Sequence, residues 1–194
     1  IMHTFRELVL GAYLAANGLN ARYELPTDGL SPDWTILGTD SASIRGILEL
    51  TNFHIDRASD LETEEQVRSA GVAAYWRDKN KNNTERLYQS IWEKARKYKP
   101  LVQRLKVPYV LALFAGFKAM LDFEEVSQCL FDSESGIFGI CPELSGVLYF
   151  EESAGRYSFH YAGNPGALRQ MDMPDGTFPP KPSLAGHAGS ETEP

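Results

Sequence analysis

The chain has 194 residues, 43% hydrophobic and 23% charged, the composition of an ordinary globular domain long enough for one well-developed core. No apolar run approaches the roughly 20 residues of a membrane helix and nothing resembles a secretory signal, so a soluble, cytoplasmic protein without a membrane partner is expected. Cys129 and Cys141, without CxxC spacing or a His/Cys cluster, argue against structural zinc and a disulfide framework, and the formal net charge of −7 argues against nonspecific nucleic-acid binding by the whole surface.

In chain order, Phe5 to Leu19 predicts a first helix with Phe5, Leu8, Val9, Ala12 and Ala16 on its buried face and Asn17-Gly18 as its stop. Short strands are expected at Ala21 to Leu25 and Trp34 to Leu37, separated by the turn residues Pro26, Asp28 and Gly29. Ile44 to Phe53 is apolar enough for a central strand. Ser59 or Asp60 is suited to cap a helix to about Arg77; after a polar break at Lys79 to Asn83, Thr84 opens another to about Tyr98, stopped by Pro100. A buried strand is expected at Val107 to Phe114, a helix at Asp122 to Leu130, and a hairpin from Gly146 to Glu151 and Tyr157 to Tyr161 around Ser153-Ala154-Gly155. The order α-β-β-β-α-α-β-α-β-β implies one α/β domain over residues 1–163, a mixed central sheet flanked by helices. Residues 164–194, rich in Gly, Pro and Ser, read as a C-terminal tail without a core of its own, and Asn164-Pro165 as a turn.

The sharpest local feature is Ser31-Pro32-Asp33-Trp34, followed by Glu49-Leu50-Thr51 inside the strongest strand. Strand alternation puts Glu49 and Thr51 on one face and Leu48 and Leu50 on the other. An acid at the centre of an apolar strand is costly unless its charge is offset. A divalent cation between Asp33, Glu49 and the Leu50 carbonyl would offset it, since hard cations prefer oxygen ligands.

With a helix before them and a helix and a buried strand after, these residues resemble the PD-(D/E)XK superfamily of restriction-endonuclease-like nucleases over roughly residues 5–115, Pro32-Asp33 standing at the PD and Glu49 at the second acid. The resemblance implies a restriction-endonuclease-like core and hydrolysis of phosphodiester bonds in nucleic acid, DNA foremost, with Mg²⁺ or Mn²⁺ held by the acids. Glu7 in the first helix is a candidate for the extra acid of some members, although a helical wheel sets it opposite Phe5. The family's lysine falls on Thr51, which cannot carry a charge. Either the site is degenerate, leaving a domain that binds nucleic acid or a protein partner without cutting, or the lysine has moved.

Lys94 is the candidate migrant. It falls inside the stripe of Leu87, Ile91, Ala95 and Tyr98, where an ammonium must find an anion or snorkel to water. Catalytic roles are therefore expected for Asp33, Glu49 and Lys94. Residues 79–106 carry nine basic and two acidic side chains, a local balance of +7 against −14 elsewhere, which makes Lys97 and Arg104 candidate nucleic-acid contacts. His54, just past the Glu49 strand, is near enough for a metal or phosphate contact but reads first as structural or exposed; Trp34, Trp76 and Trp92 read as packing residues. A homodimer is left open.

Overall fold

The structure is a computed structural model that describes residues 2–54, 57–71, 83–116, 119 and 121–179. Its elements are α1 (Met2–Ala16), β1 (Ala21–Tyr23), β2 (Trp34–Leu37), β3 (Ile44–Phe53), α2 (Arg57–Ala70), α3 (Asn83–Leu105), β4 (Tyr109–Ala115), α4 (Phe123–Phe131), α5 (Ile137–Ile140), β5 (Gly146–Ser153), β6 (Arg156–Gly163) and β7 (Gly176–Phe178). The strands form one seven-stranded mixed sheet whose spatial order is the chain order. The pairs β3–β4 and β4–β5 are parallel, and the other four are antiparallel.

Strand alternation divides the core into two layers. Ile47, Phe53, Tyr109, Leu111, Leu113, Val147 and Tyr149 face α3, α4 and α5. Leu48, Leu50, Val110, Ala112, Phe114, Leu148 and Phe150 face α1. The protein is thus an α/β fold with helices on both sides of a mixed sheet, as expected. Among the described residues no helix is long and apolar enough to cross a membrane.

β2 and β3 have the bounds read from the sequence, while several other elements depart from expectation. The first helix turns a different face inward: Val9, Leu10, Tyr13 and Leu14 are buried, whereas Phe5 and Leu8 are 50% and 54% exposed. Apolar residues surround this helix almost completely, so its periodicity does not fix its rotation. α3 runs through Pro100 to Leu105 rather than stopping before it. A proline lacks one backbone N–H and usually breaks a helix. Here Arg96 and Pro100 are exposed, so water can serve the freed carbonyl, while burial of Leu101 and Val102 holds the extra turns. The stretch read as tail is also partly folded: β7 pairs with β6, Met173 and Asn164 are buried, and the Tyr13 hydroxyl donates to the Pro174 carbonyl.

The helix expected to about Arg77 ends at Ala70, before Gly71 at φ +72°, and the expected cap residues Ser59 and Asp60 lie inside it. Its expected last turns, the break at Lys79 to Asn82 and Trp76 fall outside the described residues. α4 is capped by Asp122, whose carboxylate accepts from Glu125 N while Glu125 reaches back to the Asp122 N–H. The β5–β6 hairpin closes on Ala154 and Gly155 at φ +51° and +74°, the left-handed conformations a tight hairpin turn requires.

Candidate active site

Register explains how Asp33 comes within electrostatic reach of Glu49. β2 runs antiparallel to β3, and its last paired residue, Trp34, stands opposite Leu48. β3 continues past that point to Phe53, leaving its edge beyond Leu48 without a β2 partner. Asp33, one residue before β2, fills the gap: the Leu50 N–H donates to Asp33 Oδ2 at 2.6 Å. In a strand the N–H and C=O of one residue point to the same neighbour, so the Leu50 carbonyl is turned to the same edge.

Trp34 fixes this corner against α1. Its indole donates to the Glu7 carbonyl at 3.0 Å, and its ring occupies the space that a Cβ on Gly11 would need. Only glycine allows this approach of helix to ring.

Glu49 projects from the centre of β3 towards α3 and is 3% exposed. Lys94 Nζ donates to Glu49 Oε1 at 2.6 Å, and Lys97 Nζ lies 3.5 Å from the same oxygen. The Lys94 stem follows the apolar stripe of α3, and its ammonium ends on the carboxylate. Thr51, where the resemblance would put a lysine, is buried with its hydroxyl 3.2 Å from that of Ser90.

Electrostatics single out Asp33. Burial first, then the charges of Glu49 and Glu7, push its carboxyl up to about 6, against the opposing pull of the Leu50 N–H and Lys94. Tyr98 is held neutral by burial and by the adjacent Glu49 carboxylate, and Tyr109, wholly buried, by burial and the same charge. Among the described residues, three buried side-chain oxygens have no hydrogen-bond partner: Thr35 Oγ1, Glu49 Oε2 and Tyr109 Oη. Thr35 and Tyr109 stand opposite Ile47 from either side, one row of the sheet from Glu49.

Glu7, discounted on the helical wheel, is 5% exposed and accepts from the Tyr23 hydroxyl at 2.7 Å. Taking Leu10, Tyr13 and Leu14 as the buried stripe of the first helix would have put Glu7 on the inner side. Tyr98, read only as apolar filling, follows Lys94 by one helical turn, and that spacing was the available signal for it. Arg104 is tied to Asp28 Oδ2 at 2.7 Å, so part of the basic segment is neutralised within the chain. Lys99 is likewise paired with Glu143 at 2.7 Å. His54 is exposed, and its carbonyl accepts from Arg86 at 2.7 Å. Trp92 is half-buried under Arg96, in keeping with a packing role.

Among the described residues no three His, Cys, Asp or Glu side chains form a group that could hold a metal. Asp33, Glu49 and the Leu50 carbonyl are the hard oxygens at this corner that would hold a divalent cation, and Glu49 Oε2 has no hydrogen-bond partner among the described residues. Comparisons with family models, curated proteins and solved structures find no match to the chain.

Proposed function

We propose that the protein is a metal-dependent nuclease of the PD-(D/E)XK, restriction-endonuclease-like type that hydrolyses phosphodiester bonds of nucleic acid, with DNA as the first substrate to test. The observation that carries the reading is the 2.6 Å contact between Lys94 Nζ and Glu49 Oε1, because it supplies a cation to a site whose family position for lysine is Thr51. A helix, a three-stranded meander, a helix on the opposite face and a strand parallel to the third form a succession compatible with the family core.

In this reading Asp33, Glu49 and the Leu50 carbonyl hold Mg²⁺ or Mn²⁺, which when bound supplies Lewis-acid polarisation of the phosphate and an activated water. Lys94 stabilises negative charge that develops on the phosphate, acting from a partly buried position where a fixed cation is worth more than in water. Lys97, half exposed beside the same carboxylate, meets the incoming phosphate backbone. Asp33 serves as a ligand once ionised, hence above about pH 6.

Thr51 favours a second reading, a nuclease-fold domain that binds nucleic acid or protein without cutting. Assaying the parent, Lys94→Met and Thr51→Lys side by side with Mg²⁺ and Mn²⁺ separates the two. The first reading expects cleavage by the parent and a loss of ~10²-fold or more in Lys94→Met, typical of removing a preorganised electrostatic group. A parent that never cleaves, with activity appearing in Thr51→Lys, supports the second. Cleavage that survives Lys94→Met contradicts the role given to that lysine.

A further inference from the structure

The face of β3 that carries Glu49 continues through Thr51 to Phe53, and alongside it α3 runs back from Lys94 through Ser90 to Arg86. Beyond the Thr51–Ser90 contact, at the carboxyl end of this parallel strand, the groove between them widens into a cavity of about 460 Å³. That volume lies in the roughly 300–1,000 Å³ range of sites for small organic groups, and the carboxyl end of a parallel strand is a favoured position for them. Its Phe53 edge is four residues from Glu49, about 13 Å along the strand, close enough for one nucleic-acid strand to touch both.

The lining is not that of a phosphate site. Glu85 and Glu93 both border the cavity, and the one guanidinium among its described lining residues, on Arg86, already donates to the His54 carbonyl at 2.7 Å and to Asn83 Oδ1 at 3.4 Å. These bonds hold the Arg86 plane over the Phe53 ring, 5.1 Å from its centroid, as a flat cationic surface. Gln89 of α3 adds a side-chain amide to the wall. Flat cationic surfaces stack bases, and side-chain amides pair with base edges. A phosphate backbone would be repelled by the two carboxylates and drawn to Lys94 and Lys97 instead.

Resting on the nuclease reading, we infer that this cavity receives an unpaired nucleobase next to the cleaved phosphodiester, so that the substrate is a single strand or a duplex with a displaced nucleotide. Backbone and base are thereby sorted along one groove, charge at the Lys94 end and hydrogen bonding at the Arg86 end.

Binding in EDTA, where no metal-dependent cleavage occurs, tests this in the full chain. The probes are a fluorescein-labelled single-stranded DNA containing 2-aminopurine and the same strand annealed to its complement. The parent is expected to bind the single strand about tenfold more tightly than the duplex, a preference of the size of one stacked base, with a shift in 2-aminopurine emission. Gln89 is exposed on α3, so Gln89→Trp fills the cavity without entering the core and should erase the preference, while Gln89→Ala should reduce it. Equal affinity for both probes, no binding, or a preference unchanged in Gln89→Trp of parent-like helix content overturns the inference. A parent that cleaves duplex and single strand alike while Gln89→Trp changes nothing overturns the cavity's role and spares the nuclease. A parent that binds with the expected preference but never cleaves overturns the nuclease reading and leaves the base site supported.

Discussion

The two faces of the central sheet differ in the polar groups that they bury. Towards α1, the buried side chains of β3, β4 and β5 are Leu48, Leu50, Val110, Ala112, Phe114, Leu148 and Phe150, every one apolar. The layer is closed by aromatic stacking, Tyr13 on Phe159 at 3.8 Å and Phe150 on Phe159 at 4.8 Å. Towards α3 the same strands carry Glu49, Thr51 and Tyr109, and β2 adds Thr35; three of these four residues hold buried oxygens without partners among the described residues. A sheet can be packed on both faces with hydrocarbon alone. An acid in the middle of β3 lowers stability relative to that arrangement, and the α3 face retains one together with a lysine that reaches it. Apolar packing accounts for Ile47, Phe53, Leu111 and Leu113 on the α3 face but not for Glu49, and the proposed cation site is offered as the reason that the acid is there.

The comparison can be broken by exchanging what the two faces lose. Phe150→Ala on the α1 face should cost about 3–5 kcal/mol in denaturant unfolding, the range for emptying a large aromatic site. The variant should still bind a divalent cation. The double variant Glu49→Leu, Lys94→Met should do the opposite: its stability is expected to be unchanged or about 1–4 kcal/mol higher, as when a buried ion pair is replaced by hydrocarbon, with cation binding lost. A double variant as damaged as Phe150→Ala would mean that the pair exists for the fold.

A smaller effect sharpens the picture through pH. The Asp33 carboxyl is raised from 3.8 to about 6, so between these values the folded metal-free protein binds a proton that the unfolded chain releases. Its contribution to stability is full below about pH 4 and is lost as pH rises through about 6. Unfolding of the metal-free parent should show this slope, and Asp33→Asn should flatten it. If Asp33 is a ligand as proposed, cation binding should weaken as pH falls through about 6. A slope unchanged in Asp33→Asn would remove Asp33 from the electrostatic centre.

Much of this arrangement is written in local sequence. Trp34–Leu37 and Ile44–Phe53 are legible because turn residues bound short apolar runs, and alternation within β3 then assigns Glu49 and Leu50 to opposite faces. Lys94 is legible because a charge inside an apolar helical stripe calls for an anion. What stayed hidden depends on tertiary context. Phe5 and Leu8 look like core until the rotation of α1 is known, which conceals Glu7. Pro100 reads as a stop because the burial of Leu101 and Val102 is a property of the packed helix. β7 has three residues and gains its order by pairing with β6 and packing Phe178 against the α1-side core. Thr35 and Tyr109 could not be tied to Glu49 without the register that sets them one row away.

The central claim is that Asp33 and Glu49 form a cation site on the α3 side of the sheet edge. Calorimetric titration of the metal-free protein with Mn²⁺ near pH 7.5, in the parent and in Glu49→Gln, tests it most directly. The account predicts one-to-one binding by the parent and none by Glu49→Gln, with circular dichroism showing the same fold in both. Equal Mn²⁺ affinity in the two proteins would contradict it.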